Sequence, residues 1–191
     1  MKYKNVYTFL FIVVILMPGC SQLNNYNSRH INHNICGYSI GDTICNIKLW
    51  DQYGFQRALG QFYGLKVIQF STMWCMGCAI ASKRSVAIKN LYGTQINYIT
   101  VLIEPYTVGA VTTIDDAYDW ADQFDITEPV LVGDRSLIDN SEISGFNIDA
   151  YPTVYIVDSN NTIIKKISSS NELTDYLKHT FNREHKTINS N

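Results

Sequence analysis

The sequence predicts an α/β layer structure built on a mixed sheet. The first observation behind this is the order of its patterned segments: strand, helix, strand, helix, extended segment, hairpin, helix. The second is a pair of continuous apolar runs, "LKVIQFST" (65–72) and "INYITVLIE" (96–104), which read as strands buried on both faces. The third is "QFSTMWCMGCAI" (69–80), where the first run stops at Cys75 and Cys78 and a helical period takes over.

At 191 residues, with 46% hydrophobic and 17% charged residues, the chain is long enough for one domain with a sizeable core and too short for two comfortable ones. A formal net charge of −2 and the lack of a basic stripe argue against nucleic acid, since phosphate binding needs clustered Lys and Arg. Small molecules or proteins are the substrates to expect.

Residues 1–20 read as a secretory signal: Lys2 and Lys4, an apolar run from Val6 to Met17, then Pro18, Gly19 and Cys20. The run is shorter than the roughly 20 apolar residues that span a bilayer. Its end resembles the lipobox of bacterial lipoproteins, with Cys20 as the lipidated residue; an ordinary cleaved signal is the alternative. Residues 21–35, "SQLNNYNSRHINHNI", are polar and without period, the composition of a flexible tether, and His30 and His33 read there as solvated residues. Export puts the other cysteines where disulfides persist.

The folded domain is expected over 36–181. Ile47, Leu49 and Phe55 alternate around a turn at Asp51 to Gly54, predicting a hairpin. After the strand 65–72, apolar positions Cys78, Ala81, Val86, Ile88 and Leu91 predict a helix ended by Gly93. The strand 96–104 follows. Thr113 opens a helix with acids in its first turn and Ile114, Ala117, Trp120, Ala121 and Phe124 on one face. Residues 129–134 predict a short strand, and 136–143 a helical turn or short helix. "PTVYIVDSNNTIIKKI" predicts a hairpin turning at Asp158 to Asn161. Ser169 and Glu172 form a capping-box pattern for a last helix reaching about His179, and 182–191 should fray as a disordered tail.

A thiol pair where a buried strand feeds a helix N-terminus has a chemical consequence. Unpaired N–H groups and the positive end of the helix dipole favour a thiolate on Cys75, which can then attack disulfides. Cys78, one turn on and facing inward, is placed to attack the mixed disulfide and release the partner.

"VIQFSTMWCMGC" followed downstream by "AYPTVYIVD" resembles the thioredoxin fold, in particular the membrane-attached TlpA and ResA-like redoxins, over about Gly41 to Leu177. The resemblance implies a thioredoxin-like three-layer fold: a mixed central sheet, flanking helices and an N-terminal hairpin. It also implies a cis proline at Pro152 against the sulfurs, catalytic roles for Cys75, Cys78, Pro152 and Trp74, and a substrate chain pairing with the Tyr151 backbone. The chain departs from the family in several places. Gln69 stands where thioredoxins carry a buried acid, and Gly77 and Ala81 replace a proline and a glutamate of many ResA-like proteins. Glu104 is the nearest substitute proton acceptor, although an exposed loop acid is its plainer reading. No His lies between the cysteines, which leans the redox direction toward a reductant or isomerase.

Other chemistries also fit parts of this pattern. Met73, Cys75 and Cys78 match the MxCxxC of small copper chaperones, whose soft sulfurs suit Cu(I). A lone CxxC supplies half of a zinc site, and Ala79 after Cys78 excludes c-type haem attachment. Cys36 and Cys45 flank a Gly41-Asp42 turn that can bring them together as a structural disulfide; a second redox pair is the sharper alternative. The reading is therefore a monomeric, membrane-tethered thiol–disulfide oxidoreductase on the extracytoplasmic, periplasmic side of a bacterial membrane. It acts on protein thiols and disulfides and needs neither cofactor nor metal.

Overall fold

The apolar runs dictate the centre of the molecule. In the computed structural model residues 36–188 are described; the signal segment with Cys20, the tether 21–35 with His30 and His33, and residues 189–191 lie outside them. Strands β1 (Lys48–Trp50) and β2 (Gln56–Ala58) form an antiparallel hairpin. They are followed by β3 (Leu65–Thr72), α1 (Met76–Tyr92), β4 (Ile96–Glu104), α2 (Ile114–Gln123), β5 (Val130–Val132), β6 (Thr153–Val157), β7 (Ile163–Ile167) and α3 (Ser170–Ile188). The main sheet has the order β5-β4-β3-β6-β7, with β3, β4 and β5 parallel and β6 and β7 antiparallel to their neighbours. This is the mixed α/β sheet the sequence predicts.

Because strand side chains alternate, β3 faces two different cores. Val67 packs with Ile88, Tyr98, Ile156, Leu173 and Leu177 on the face covered by helices. Ile68 and Phe70 pack on the other face with Phe146, Tyr155 and Ile44. That second face is covered by the N-terminal segment, the β1–β2 hairpin and the β5–β6 connection, so helices, sheet and a hairpin-and-connector layer make the three layers.

Several local expectations shift. The connection 136–143 makes only a 3₁₀ turn, Arg135–Leu137, because Asp139 draws the N–H and hydroxyl groups of both Ser141 and Ser144 onto its carboxylate and Glu142 takes a left-handed φ of 59°. Leu91 is exposed and Tyr92 buried in its place, packed on Phe181. Phe55 is exposed, with the Arg57 guanidinium over its ring, and Ile114 is more than a third exposed. Helix α3 runs on to Ile188, past His179 where the apolar period ends, since each further residue adds a backbone hydrogen bond at little cost once a helix exists. Gly93 ends α1 at φ 55°, as the sequence predicts.

Under the cysteine turn, Trp120 of α2 is buried against Phe124, and its indole donates to Ser82 of α1 at 3.0 Å. It supports α1 from beside Cys78. Trp120→Ala should destabilise the protein by about 3–5 kcal/mol, read as a lowered urea midpoint with the slope retained.

Candidate active site

The site is assembled where β3 ends. Residues Leu65 to Ser71 pair one for one with Ile96 to Leu102, then the register slips and Thr72 lies opposite Glu104. The Met73 N–H donates to the Glu104 carbonyl at 2.9 Å and the Cys75 N–H to the Thr72 carbonyl at 3.3 Å, which turns the chain out of the sheet. Cys75 thereby becomes the N-cap of α1, in extended conformation, and its Sγ accepts the Cys78 N–H at 3.1 Å. The first turn of α1 holds no acid, so the positive helix end meets only the sulfur.

The two thiols have different surroundings. Cys75 is partly exposed and Cys78 fully buried, packed with Met73, Leu102 and Trp120. Burial pushes the Cys78 thiol well up, and its hydrogen bond with Cys75 adds to the effect; a backbone hydrogen bond at Thr72 pulls the other way. At neutral pH Cys78 is held protonated behind an accessible Cys75.

The opposite wall comes from the start of β6. The Tyr151–Pro152 bond is cis, and the Tyr151 carbonyl accepts a hydrogen bond from Cys75 Sγ at 3.4 Å. A methyl group on Gly77 would touch Pro152 Cδ at 3.4 Å and Cys75 Sγ at 3.7 Å, so the proline ring, Gly77 and the sulfur lie against one another. Trp74 stands half out of the surface, edge-to-face on Tyr151 with ring centroids 5.9 Å apart. Burial, with the Glu104 charge second, pushes the Tyr151 phenol up to about 12.

Glu104 is not the exposed loop acid of the plainer sequence reading. Only 1% of it is exposed, and its carboxylate accepts the Trp74 indole N–H at 2.8 Å and the Arg135 guanidinium. The Arg135 hydrogen bond holds the carboxyl below the usual range against the opposing effect of burial, and Trp74 acts in the same direction. Glu104 therefore anchors the Trp74 turn and the Arg135 connection as an anion, and Arg135 weakens it as a base. A charged residue closing an otherwise apolar buried strand was the signal for it; Arg135, in a loop, carries no sequence signal.

Other expected residues lie elsewhere. Gln69 is fully buried, with its amide between Tyr98 and Ser71, and cannot take up a proton. Met73 is 5% exposed in the apolar cluster around Cys78. Cys36 and Cys45 are joined in a disulfide. The segment between them pairs with Thr162 and Ile163, at the end of the β6–β7 hairpin remote from Pro152, so this bond is not brought to Cys75. Among the described residues no three His, Cys, Asp or Glu side chains cluster as a metal site, and no helix is long and apolar enough to cross a membrane.

The chain matches no protein-family model and no curated protein sequence significantly. Its likeness is structural. It is similar to the thioredoxin domain of a thiol-disulfide oxidoreductase from Bacteroides vulgatus, with a TM-score of 0.61 at 14% identity over 74% of this chain and 97% of that one. A domain of a possible thiol-disulfide isomerase from Cytophaga hutchinsonii gives 0.58 at 20% identity, covering 78% and 97%. The pneumococcal exposed lipoprotein thioredoxin from Streptococcus pneumoniae gives 0.54 at 20% identity, covering 71% and 99%. The chain has the thioredoxin fold.

The Glu104 contacts carry a pH signature. Its carboxyl is depressed in the folded state, so its contribution to stability is present above the unfolded value of about 4.3 and is lost as pH falls through the folded one. The wild type should be more stable than Glu104→Gln near neutrality, and urea unfolding from pH 7 to pH 2 should show that difference closing in acid.

Proposed function

We propose that the protein is an extracytoplasmic thiol–disulfide oxidoreductase that acts on protein disulfides, with Cys75 as nucleophile and Cys78 as resolving thiol. The observation that carries this reading is the asymmetry of the pair: an accessible sulfur capping a helix and accepting the Cys78 N–H, with the second thiol sealed behind it. In the reductive direction the Cys75 thiolate attacks one sulfur of a partner disulfide, forming a mixed disulfide and releasing the partner's other sulfur as a thiolate that takes a proton. Cys78 then attacks Cys75 Sγ, expels the second partner thiol and passes its proton to it. The protein gains one disulfide and the partner loses one, so two electrons move and no cofactor takes part.

The partner's backbone pairs with Tyr151, which offers its carbonyl beside the sulfur, and Trp74 with its exposed face contacts the same chain. The names of the similar structures, a thiol-disulfide oxidoreductase and a possible thiol-disulfide isomerase, support this chemistry, and the absence of a His between the cysteines supports reduction or isomerisation over oxidation. The copper alternative finds less support, because Met73 and Cys78 are buried and Cys75 alone of its three sulfurs is accessible. The lipobox-like Gly19-Cys20 and the likeness to an exposed lipoprotein thioredoxin support a protein tethered through lipid on Cys20 to the extracytoplasmic, periplasmic side of a bacterial membrane.

The chemistry is tested by an insulin-reduction assay and a trap. The wild type should reduce insulin and Cys75→Ser should not, while Cys78→Ala should hold partners in mixed disulfides at Cys75. Wild-type inactivity together with tight Cu(I) binding would overturn the reading in favour of metal delivery. The anchor is tested separately. Metabolic labelling with a fatty acid should tag the wild type, and Cys20→Ser should abolish the tag; an untagged wild type would remove the anchor and leave the redox chemistry standing.

A further inference from the structure

The two oxygens of the Glu104 carboxylate serve two different loops. Oε2 accepts the Trp74 indole N–H at 2.8 Å, and Oε1 accepts from Nε of Arg135. Because one carboxylate takes both, the guanidinium and the indole are held side by side. They reach the surface and their shared acid does not: Glu104 is 1% exposed, the Arg135 side chain 65% and Trp74 42%. Trp74 in turn stands edge-to-face on Tyr151, whose carbonyl accepts from Cys75 Sγ at 3.4 Å. Sulfur, tyrosine, tryptophan and guanidinium follow one another in an unbroken series of contacts that ends at Arg135.

Neutralising Glu104 uses only part of that guanidinium. Arginine carries five N–H donors in a rigid fork, and among the described residues the fork of Arg135 bonds to Glu104 alone, through Nε. The Nη groups are left for a ligand. Asp134, the adjacent acid, is turned into its own loop, where it accepts the Ser136 N–H at 2.7 Å. Residues 52–103, which include the cysteine turn and all of α1, contain no Asp or Glu, while Lys83 and Arg84 of α1 are exposed. The exposed acids of α2, Asp115, Asp119 and Asp122, lie away from the face that packs with Cys78. The elements that carry the sulfur thus offer a partner cations and no anion.

Resting on the oxidoreductase reading, we propose that Arg135 is a carboxylate subsite, which receives an Asp or Glu of the partner chain near the disulfide that Cys75 attacks. The substrate class is then a protein disulfide flanked by acidic residues. A partner chain that pairs with Tyr151 and crosses the Trp74 face arrives at the guanidinium; at about 3.3 Å per extended residue, the acid lies within about four residues of the attacked cysteine. A guanidinium fork takes a carboxylate through two parallel N–H···O bonds. Glu104 holds the fork in place beforehand, so little side-chain freedom is left to lose on binding. Arg135 selects the partner and leaves the exchange to the sulfurs: Cys75 and Cys78 lose two electrons and form a disulfide, and the partner disulfide gains them and becomes two thiols.

The probe is a set of peptides with one cysteine held as its mixed disulfide with mercaptoethanol, and with Glu or Gln at successive positions on either side of it, out to about four residues. Each is mixed with the full chain reduced at Cys75 and Cys78, and the second-order rate of protein oxidation is read by acid quench and thiol alkylation. At the best position the wild type should prefer Glu to Gln about fivefold, the share of one exposed ion pair, and the preference should close at high salt. Arg135→Gln should remove the preference. Arg135→Lys, which keeps the charge and loses the fork, should retain about twofold. The ratio between peptides is the readout because a purely structural role, as counter-ion to Glu104, would change both rates together. A ratio within about twofold of unity at every position in the wild type, or the wild-type ratio retained in Arg135→Gln, would overturn the subsite. Should Arg135→Gln fail to fold, an undiminished ratio in Arg135→Lys does the same. A wild type that neither the peptides nor hydroxyethyl disulfide can oxidise would instead overturn the oxidoreductase reading itself.

Discussion

The site depends on how the central strand stops. While β3 runs beside β4 in register its backbone groups are satisfied by neighbours, and at Ser71/Thr72 that register breaks. The N–H of Met73 still finds the Glu104 carbonyl and that of Cys75 finds Thr72, so the chain leaves the sheet without stranding polar groups. Its next residue with an unclaimed side chain is Cys75, at the place where α1 needs a cap. A helix N-terminus ordinarily receives Ser, Thr, Asp or Asn. Here a sulfur occupies the position, and the interaction that begins the helix is the same one that sets the two thiols in relation to each other.

Around that turn the chain has redistributed its polar groups. The acid stands beside the pair, on the neighbouring strand, where Glu104 ties the tryptophan before the cysteines to the β5–β6 connection. On the helix-covered face of β3 the buried polar groups are neutral, the Gln69 amide and the Ser71 hydroxyl. A carboxylate in place of Gln69 would bring charge into a fully buried position, and a neutral amide avoids most of that desolvation. The arrangement gives up a base at that position and keeps the Gln69 amide hydrogen-bonded at both ends.

The sequence makes the scaffold legible because the scaffold is local. The buried runs 65–72 and 96–104 coincide with β3 and β4, Thr113 and its acids mark the start of α2, and Gly93 closes α1. Each of these rests on periodicity or on a terminator within a few residues. What escaped depends on residues far apart in the chain. Arg135 meets Glu104 only because β5 lies beside β4, and the inward position of Tyr92 in place of Leu91 follows from where α3 puts Phe181. Over 136–143 only the lesser of the two expectations is met, a single 3₁₀ turn, because Asp139 offers the backbone and the serines a better set of partners than a further helical turn would.

The small hairpin has a consequence for the whole sheet. Asp51 folds its turn by accepting the N–H groups of Tyr53 and Phe55 and the Arg57 guanidinium, and Gln52 reaches across to the Glu128 carbonyl and the Val130 N–H. Those last two contacts, with the bridge between Asp51 and Leu131, occupy the outer margin of β5. At the opposite margin, residues 41–44 take up the backbone groups of Asn161 to Ile163 at the start of β7. Exposed sheet margins template pairing between copies and seed aggregation. Both are blunted here by segments that precede β3 in the chain, so a molecule that has yet to fold its leading segment is the form at risk of stacking with its neighbours.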